Sequence, residues 1–159
     1  MDIVSEAIAK VRSSYSDESG ITCQFYRIGN VGAKVYEYHD DAVNNHDSQT
    51  TLHKLGFAPK VLSEVIRIDD GNSLLFMFLT ELAITVKEIV IREFPDKTRE
   101  SSEYGVHFWN TQRFRHFAKL FQDMRSQGFM DYDDHWGNYG YLKCGRPVVI
   151  DVEFVHGEE

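Results

Sequence analysis

The chain has 159 residues, of which 42% are hydrophobic and 13% aromatic, with a formal net charge of −8. This apolar content predicts a globular protein with one sizeable core or two small lobes. An acidic chain lacks the basic face that binding to nucleic acid or to an anionic membrane surface requires, so we expect neither partner. The cysteines, Cys23 and Cys144, are far apart in the sequence and indicate neither a disulfide framework nor a zinc knuckle. With no apolar run of membrane-spanning length and no signal-peptide core at the amino terminus, the expected location is the cytoplasm.

The amino-terminal half has the pattern of a helix and two strand pairs separated by a second helix. Apolar residues at helical spacing predict a helix over residues 2–13, followed by a polar loop over residues 13–20. The segment from His39 to Gly56 begins polar and becomes helical, with Gly56 as its stop. These elements predict a sheet of at least four strands around turns at Gly29-Asn30 and at residues 69–72. The strands are predicted at residues 21–28, 31–38, 61–68 and 73–82.

The carboxy-terminal half is predicted to be helical up to Gly128 and then to form a hairpin. A short helix is expected over residues 85–92, and a polar connection over residues 94–104. A longer helix is expected over residues 106–127, because aromatic and aliphatic residues recur there in steps of three and four and form a core-facing stripe. The stripe consists of Phe114, Phe117, Leu120, Phe121 and Met124. The hairpin strands are residues 139–143 and 147–150, with a Gly-containing turn between them.

Three polar residues around this hairpin have informative spacing. Asp133 precedes Asn138 by five residues, and Asp151 follows Asn138 by thirteen. A hairpin between Asn138 and Asp151 would bring these two side chains next to each other. A carboxamide and a carboxylate oxygen form the hard oxygen site with which Mg²⁺ is held and shared with substrate phosphates. The sequence therefore predicts a magnesium site formed by Asn138 and Asp151.

The same residues resemble the catalytic segment of the protein-kinase-like superfamily, which reads His-x-Asp, four residues, Asn, then a hairpin and Asp-Phe-Gly. Residues 133–138, Asp-Asp-His-Trp-Gly-Asn, are similar to the version in aminoglycoside-kinase-like and small phage-encoded serine/threonine kinase-like proteins. The resemblance implies that Asp133 is the catalytic aspartate and that Asn138 and Asp151 bind magnesium. Three departures are Asp131 in place of the first His, residues 152–153 (Val-Glu) in place of Phe-Gly, and a chain end soon after Asp151. The last departure implies a truncated C-terminal lobe.

A second resemblance lies in the amino-terminal half. The strand Gly32–Tyr36 resembles the kinase strand whose lysine meets the ATP phosphates, which implies that role for Lys34. The glycine-rich phosphate loop of kinases is reduced here to residues 29–32. The kinase helix that follows carries a glutamate that pairs with this lysine, but residues 39–55 contain none. Asp47 and Gln49 are the candidates for this position, and Gln49 is the one included with Lys34, Asn138 and Asp151 among the predicted cofactor-binding residues. Residues 55–61 resemble the Leu-Gly-x-x-Pro-x-Val wording that follows this helix in small kinase-like proteins.

Together these resemblances imply an α+β, two-lobe protein-kinase-like fold with an antiparallel N-terminal sheet. The lobes would be residues 1–82 and 83–159 of a single domain, with residues 80–83 as the linker and Lys34 facing the same cleft as the magnesium site. The implied cofactors are ATP and Mg²⁺. The implied reaction is phosphate transfer to a Ser/Thr hydroxyl of a protein or to a small molecule, in a host cytoplasm if the chain is phage-encoded.

Three other interpretations remain open from the residues. One is a pseudokinase that binds a nucleotide or a host or cellular protein without turnover. Another is a metal-dependent hydrolase, whose ligands would be Asp131, Asp133, Asp134 and His135. The third is an unrelated α+β binding domain.

Overall fold

The computed structural model describes residues 2–19, 23–69, 71–93, 115–130, 136–150 and 156–157. The chain divides into two compact units. The first comprises Met1–His53 and Lys60–Leu82, and the second comprises Lys54–Pro59 and Ala83–Glu159.

The first unit is built on an antiparallel five-stranded sheet with the order β1-β2-β3-β5-β4. The turn between β2 and β3 contains Gly29 with a φ of 60°, a left-handed conformation that glycine adopts without steric cost. In the register of the central strands, Lys34 of β3 lies between Phe25 of β2 and Phe78 of β5. The strands are β1 (Glu18–Ser19), β2 (Cys23–Ile28), β3 (Val31–Tyr36), β4 (Ile66–Asp69) and β5 (Leu74–Glu81).

Helix α1 (Ile3–Ser13) covers one face of this sheet. Asp2 begins the helix, because its carboxylate accepts a hydrogen bond of 2.8 Å from the backbone N–H of Ser5. The buried residues Ala7 and Val11 of α1 pack on alternate residues of the strands, which gives the unit its main core. This core consists of Ala7, Val11, Tyr26, Ile28, Ala33, Val35, Ile68, Met77 and Leu79.

Helix α2 (His39–Lys54) packs on the strand positions that alternate with those facing α1. Ala42 of α2 contacts Tyr36 and Phe78, whose rings stack with their centroids 6.0 Å apart. His46 of α2 also contacts Phe78 edge-on, with 5.3 Å between ring centroids. Because successive strand residues point to opposite faces, Lys34 and Thr80 lie on this α2 face of the sheet.

The predicted helix, strand pairs and single sheet of the first unit are confirmed, with three differences in detail. The predicted loop over residues 13–20 contains β1, which pairs with β2, and its first residue ends α1. Helix α2 already begins at His39, so the polar residues at the start of the predicted segment are helical. The strand predicted over residues 61–68 is shorter and begins only at Ile66. Before it, Val61 forms an isolated bridge, and Ser63 accepts the N–H of Leu79 with its side-chain Oγ at 2.8 Å.

The second unit contains a three-stranded sheet with the order β6-β8-β9, together with helices α3 (Val86–Glu93) and α4 (His116–Ser126). Thr85 begins α3, since its hydroxyl accepts the N–H of Glu88 at 3.0 Å. Phe117 of α4 is fully buried and contacts Tyr139 and Tyr141 with ring centroids 6.1 and 5.1 Å apart. The strands are β6 (Ala83–Thr85), β7 (Phe129–Met130), β8 (Tyr139–Leu142), β9 (Pro147–Val149) and β10 (His156–Gly157), with β10 pairing β7.

The hairpin predicted over residues 139–150 is confirmed, and its turn contains Gly145 with a φ of 90°. The core-facing stripe is confirmed for Phe117, Leu120 and Met124, which are buried on α4. Phe114 and the predicted connection over residues 94–104 lie outside the described residues, as does the first part of the helix predicted over residues 106–127. Strands β6, β7 and β10 were not predicted. Across the described ranges, no helix combines the length and apolar character needed to span a membrane.

Candidate functional site

Lys34 is a buried cation on the α2 face of the first unit's sheet. Its side chain is only 6% exposed, and its Nζ donates a hydrogen bond of 2.9 Å to Oε1 of Gln49. The ammonium also lies 5.9 Å from the centroid of the Phe78 ring, within the range of a cation–π interaction. Removing a lysine from water costs free energy unless its donors are satisfied, so these contacts help to hold the ammonium inside the unit.

Gln49 is fully buried and uses both ends of its carboxamide. Oε1 accepts from Lys34, and Nε2 donates to Oγ1 of Thr80 at 2.6 Å. The orientation of the amide follows from chemistry, because an ammonium has only donors and must face the oxygen. Lys34, Gln49 and Thr80 therefore form a hydrogen-bonded chain between β3, α2 and β5.

The periodicity of α2 explains why Gln49 and not Asp47 reaches Lys34. The two residues are two positions apart, which on a helix of 3.6 residues per turn places them on nearly opposite sides. The Asp47 side chain is 73% exposed and lies 3.3 Å from Nδ1 of His46. The buried stripe of α2 runs through Ala42, Asn45, Gln49 and Leu52, in steps of three and four residues.

Thr80 was not predicted as part of the site. The sequence suggested that residues 80–83 form a linker, whereas Thr80 is still within β5 and is 2% exposed. The signal that could have identified it is a hydroxyl residue near the end of an otherwise apolar strand. A buried polar side chain at such a position needs a hydrogen-bond partner, and a helix packed on the same face can supply one.

Asn138 lies at the end of a 3₁₀ turn (Trp136–Asn138) directly before β8. Its backbone carbonyl accepts the N–H of Ile150 at 2.6 Å, and Tyr139 pairs with Val149 in the adjacent register position. The hairpin thus returns the chain to Asn138 at Ile150, the residue that precedes Asp151. Asp151 itself lies outside the described residues.

The remaining candidate residues also lie outside the described ranges, namely Asp131, Asp133, Asp134 and His135. The catalytic role of Asp133, the magnesium ligation by Asn138 and Asp151, and a cleft shared with Lys34 therefore stay predictions. Within the ranges that are described, no group of three His, Cys, Asp or Glu side chains is arranged to hold a metal ion. The donor chemistry of Asn138 and Asp151, two hard oxygens, fits Mg²⁺.

Comparison with known proteins identifies similarity in structure but not in sequence. No protein-family model matches the chain, and no curated protein matches its sequence. A structure described as the ROP18 kinase domain in complex with AMP-PNP and sucrose is similar over 89% of this chain and 50% of its own, with a TM-score of 0.51 and 15% identity. WbdD is similar over 91% of this chain and 33% of its own, with a TM-score of 0.52 and 13% identity.

A second structure of WbdD, described as a bifunctional kinase-methyltransferase, covers 87% of this chain and 31% of its own, with a TM-score of 0.50 and 17% identity. The chain thus spans half or less of the length of these proteins. At this level of identity the similarity concerns the fold. The predicted fold class is confirmed: the chain has an α+β, kinase-like fold with an antiparallel N-terminal sheet.

Proposed function

We propose that the protein is an ATP-dependent phosphotransferase that transfers phosphate to a hydroxyl group of a protein Ser/Thr residue or of a small molecule. The observation that carries the proposal is the buried Lys34 on β3 of a kinase-like sheet, held by Gln49 of the helix that packs on the same face. Burying a lysine and a glutamine costs desolvation free energy that their hydrogen bonds must offset. Buried ionisable side chains of this kind are common at functional sites.

Phosphoryl transfer depends mainly on positioning and on neutralising the charge of the phosphates. In the proposed reaction Lys34 binds the α- and β-phosphates of ATP through its ammonium group. Gln49 orients that ammonium through Oε1 and carries no charge of its own. The contact therefore holds Lys34 in place and leaves its positive charge to be neutralised by the phosphates.

The proposed magnesium ligands are the side-chain oxygens of Asn138 and Asp151. When bound, Mg²⁺ would neutralise charge on the phosphates of the nucleotide. Asp133 would accept a hydrogen bond from the acceptor hydroxyl and orient it for attack. These roles are distinguishable, because one pair of residues binds the cation and the other residue acts only on the acceptor.

Isothermal calorimetry with millimolar ATP, with and without Mg²⁺, tests the proposal. We expect wild-type binding to depend on Mg²⁺, and Asp151→Asn to abolish this Mg²⁺-dependent binding. Asp133→Asn should retain nucleotide binding and abolish transfer. Lys34→Met should weaken binding, whereas the same substitution at the exposed Lys119 should not. If the wild type binds no nucleotide at these concentrations, the proposed function is wrong.

A second candidate is a pseudokinase that binds nucleotide or a cellular protein without turnover. The neutral partner of Lys34 favours it, because kinases pair this lysine with a glutamate and here Gln49 takes that place. Mg²⁺-dependent nucleotide binding with no phosphate transfer to any acceptor, and a partner protein whose binding is unchanged by Asp133→Asn, would support this function. Phosphate transfer that Asp133→Asn abolishes would exclude it.

A further inference from the structure

The hydrogen-bonded chain that starts at Lys34 extends one step beyond Thr80. The hydroxyl of Thr80 accepts from Nε2 of Gln49 at 2.6 Å, so its own proton is directed elsewhere. Two backbone carbonyls are in reach, that of Lys60 at 3.3 Å and that of Glu81 at 3.2 Å. While its proton is directed to either carbonyl, the Thr80 hydroxyl acts as an acceptor toward Gln49.

This polarity matters for the other end of the glutamine. A primary carboxamide has one oxygen that accepts and one NH₂ group that donates. If the amide rotated by half a turn, its NH₂ group would face the ammonium of Lys34, and two donors would oppose each other in a buried site. The bonds of Thr80 to the carbonyls disfavour this rotation, because the hydroxyl would have to give up its bond to Lys60 or Glu81 in order to donate to the rotated amide oxygen.

We infer that Thr80 is a positioning residue for nucleotide binding: its hydroxyl helps to hold the Gln49 carboxamide in the orientation that presents an oxygen to Lys34. The nucleotide part of this inference rests on the proposed function. Thr80 contacts Gln49, and it acts on the ammonium only through that amide.

A packing role for Thr80 is the simpler alternative. The Cγ2 methyl of Thr80 would lie 3.2 Å from a Cβ built on Gly32, so the side chain fills space on the α2 face of the sheet. Thr80→Val keeps this methyl and the branched shape and removes the hydroxyl. Thr80→Ser keeps the hydroxyl and removes the methyl. The two substitutions therefore separate hydrogen bonding from packing.

The test measures Mg²⁺-ATP affinity of these variants by calorimetry. We expect Thr80→Val to weaken binding about tenfold and Thr80→Ser to remain within about twofold of wild type, since a buried donor without its acceptor loses a full hydrogen bond. Thr50→Val is the matched control, because Thr50 follows Gln49 on α2 and its hydroxyl bonds only the helix carbonyl of His46 in the contacts described, at 2.8 Å. It should leave the affinity unchanged.

A double-mutant cycle makes the inference specific. In Gln49→Glu both terminal oxygens are acceptors, so Lys34 faces an oxygen whatever the orientation. Adding Thr80→Val to this background should then change nucleotide affinity by less than about twofold. An equal loss in both backgrounds would show that Thr80 acts by packing, and would overturn the inference. Should Thr80→Val fail to fold, Thr80→Ala removes the same hydroxyl and replaces it in the cycle.

A readout without nucleotide separates failure of this inference from failure of the proposed function. Hydrogen exchange of the Gln49 carboxamide, followed by NMR and assigned by its loss in Gln49→Glu, should be about tenfold faster in Thr80→Val and unchanged in Thr50→Val. If the wild type binds no nucleotide but the exchange responds in this way, the proposed function is wrong and the positioning of Gln49 stands. If exchange and affinity both match wild type in Thr80→Val, Thr80 does not orient Gln49.

Discussion

The ammonium of Lys34 and the carboxamide of Gln49 are joined by a hydrogen bond of 2.9 Å between two buried side chains. Their elements, β3 and α2, are packed against each other through an apolar cluster that includes Tyr36, Ala42 and Phe78. The cluster sets the distance between the helix and the strand. The polar contact then depends on the identity of the residue at position 49, which can be changed without altering the volume of the site.

We predict that Gln49→Leu and Gln49→Glu have opposite effects on Lys34. Leucine has similar volume but no acceptor, so it should lower the free energy of unfolding by about 1–3 kcal/mol and weaken Mg²⁺-ATP binding. Glutamate keeps the acceptor and adds a charge, so it should retain or strengthen binding. Urea denaturation and calorimetry measure the two quantities. If both substitutions weaken nucleotide binding to the same extent, the acceptor at position 49 does not hold Lys34.

Much of the fold was predictable because its signals are local. The turn at Gly29-Asn30 and the turn that contains Gly145 each join strands of strong β pattern, and both glycines adopt positive φ. The stripe on α4 is visible from spacing alone. The short strands β1, β6, β7 and β10 were missed, because two or three residues carry no periodic signal and become strands only where a partner strand lies beside them.

The candidate site was predicted in part. Lys34 was identified from the strand that carries it, but both Asp47 and Gln49 were candidates to pair with it, because the apolar pattern of α2 alone does not include polar residues. A stripe in steps of three and four from Ala42 to Leu52 passes through Asn45 and Gln49 but not through Asp47, and it therefore selects Gln49. The hydroxyl of Thr80 in an otherwise apolar strand is a local signal, but its partner could not be found from local pattern, because Gln49 lies 31 residues away in the chain.

The aromatic cluster of the second unit should be a major source of its stability. Phe117 is fully buried, and its ring contacts Tyr139 and Tyr141. We expect Phe117→Ala to lower the free energy of unfolding by about 3–5 kcal/mol, because it removes a large apolar side chain and leaves a cavity. Lys119→Ala, on an exposed position of the same helix, is the control for helix propensity. Equal effects of the two substitutions in urea denaturation would contradict the prediction.

Gly140 of β8 should tolerate no side chain. A Cβ built there would lie 2.2 Å from the backbone oxygen of Ile84, because β6 and β8 approach closely at this point. Gly140→Ala must therefore shift a backbone, and we expect it to cost about 3 kcal/mol or more. At Gly32 the nearest atoms, at 2.7 Å, belong to the Phe25 ring, which can rotate. Gly32→Ala should be clearly milder in thermal denaturation, and the reverse order would contradict this account.

Asp17 is expected to make the stability of the first unit depend on pH in the acidic range. Its Oδ2 accepts a hydrogen bond of 2.6 Å from the backbone N–H of Arg27 and lies 3.3 Å from Nζ of Lys10, which also donates to the Arg27 carbonyl. The hydrogen bond from the Arg27 backbone N–H is the largest cause that holds the pKa of Asp17 below its ordinary value of 3.8. The contact with Lys10 is a smaller cause in the same direction. These contacts therefore stabilise the ionised form of Asp17 more in the folded state than in the unfolded state.

The sign of the effect follows from the lowered pKa. The stabilisation is fully present above the unfolded pKa of Asp17 and is lost as the pH falls through the lower folded pKa. We expect Asp17→Asn to reduce the free energy of unfolding at pH 7 by about 1 kcal/mol, a modest value because the side chain is partly exposed. Asp123→Asn is the control, since that carboxylate meets Lys119 at 2.8 Å on an exposed helix surface. Urea denaturation between pH 7 and pH 2 should show the Asp17→Asn difference shrinking below about pH 4, and a difference that stays constant would show that the Asp17 carboxylate charge does not stabilise this loop.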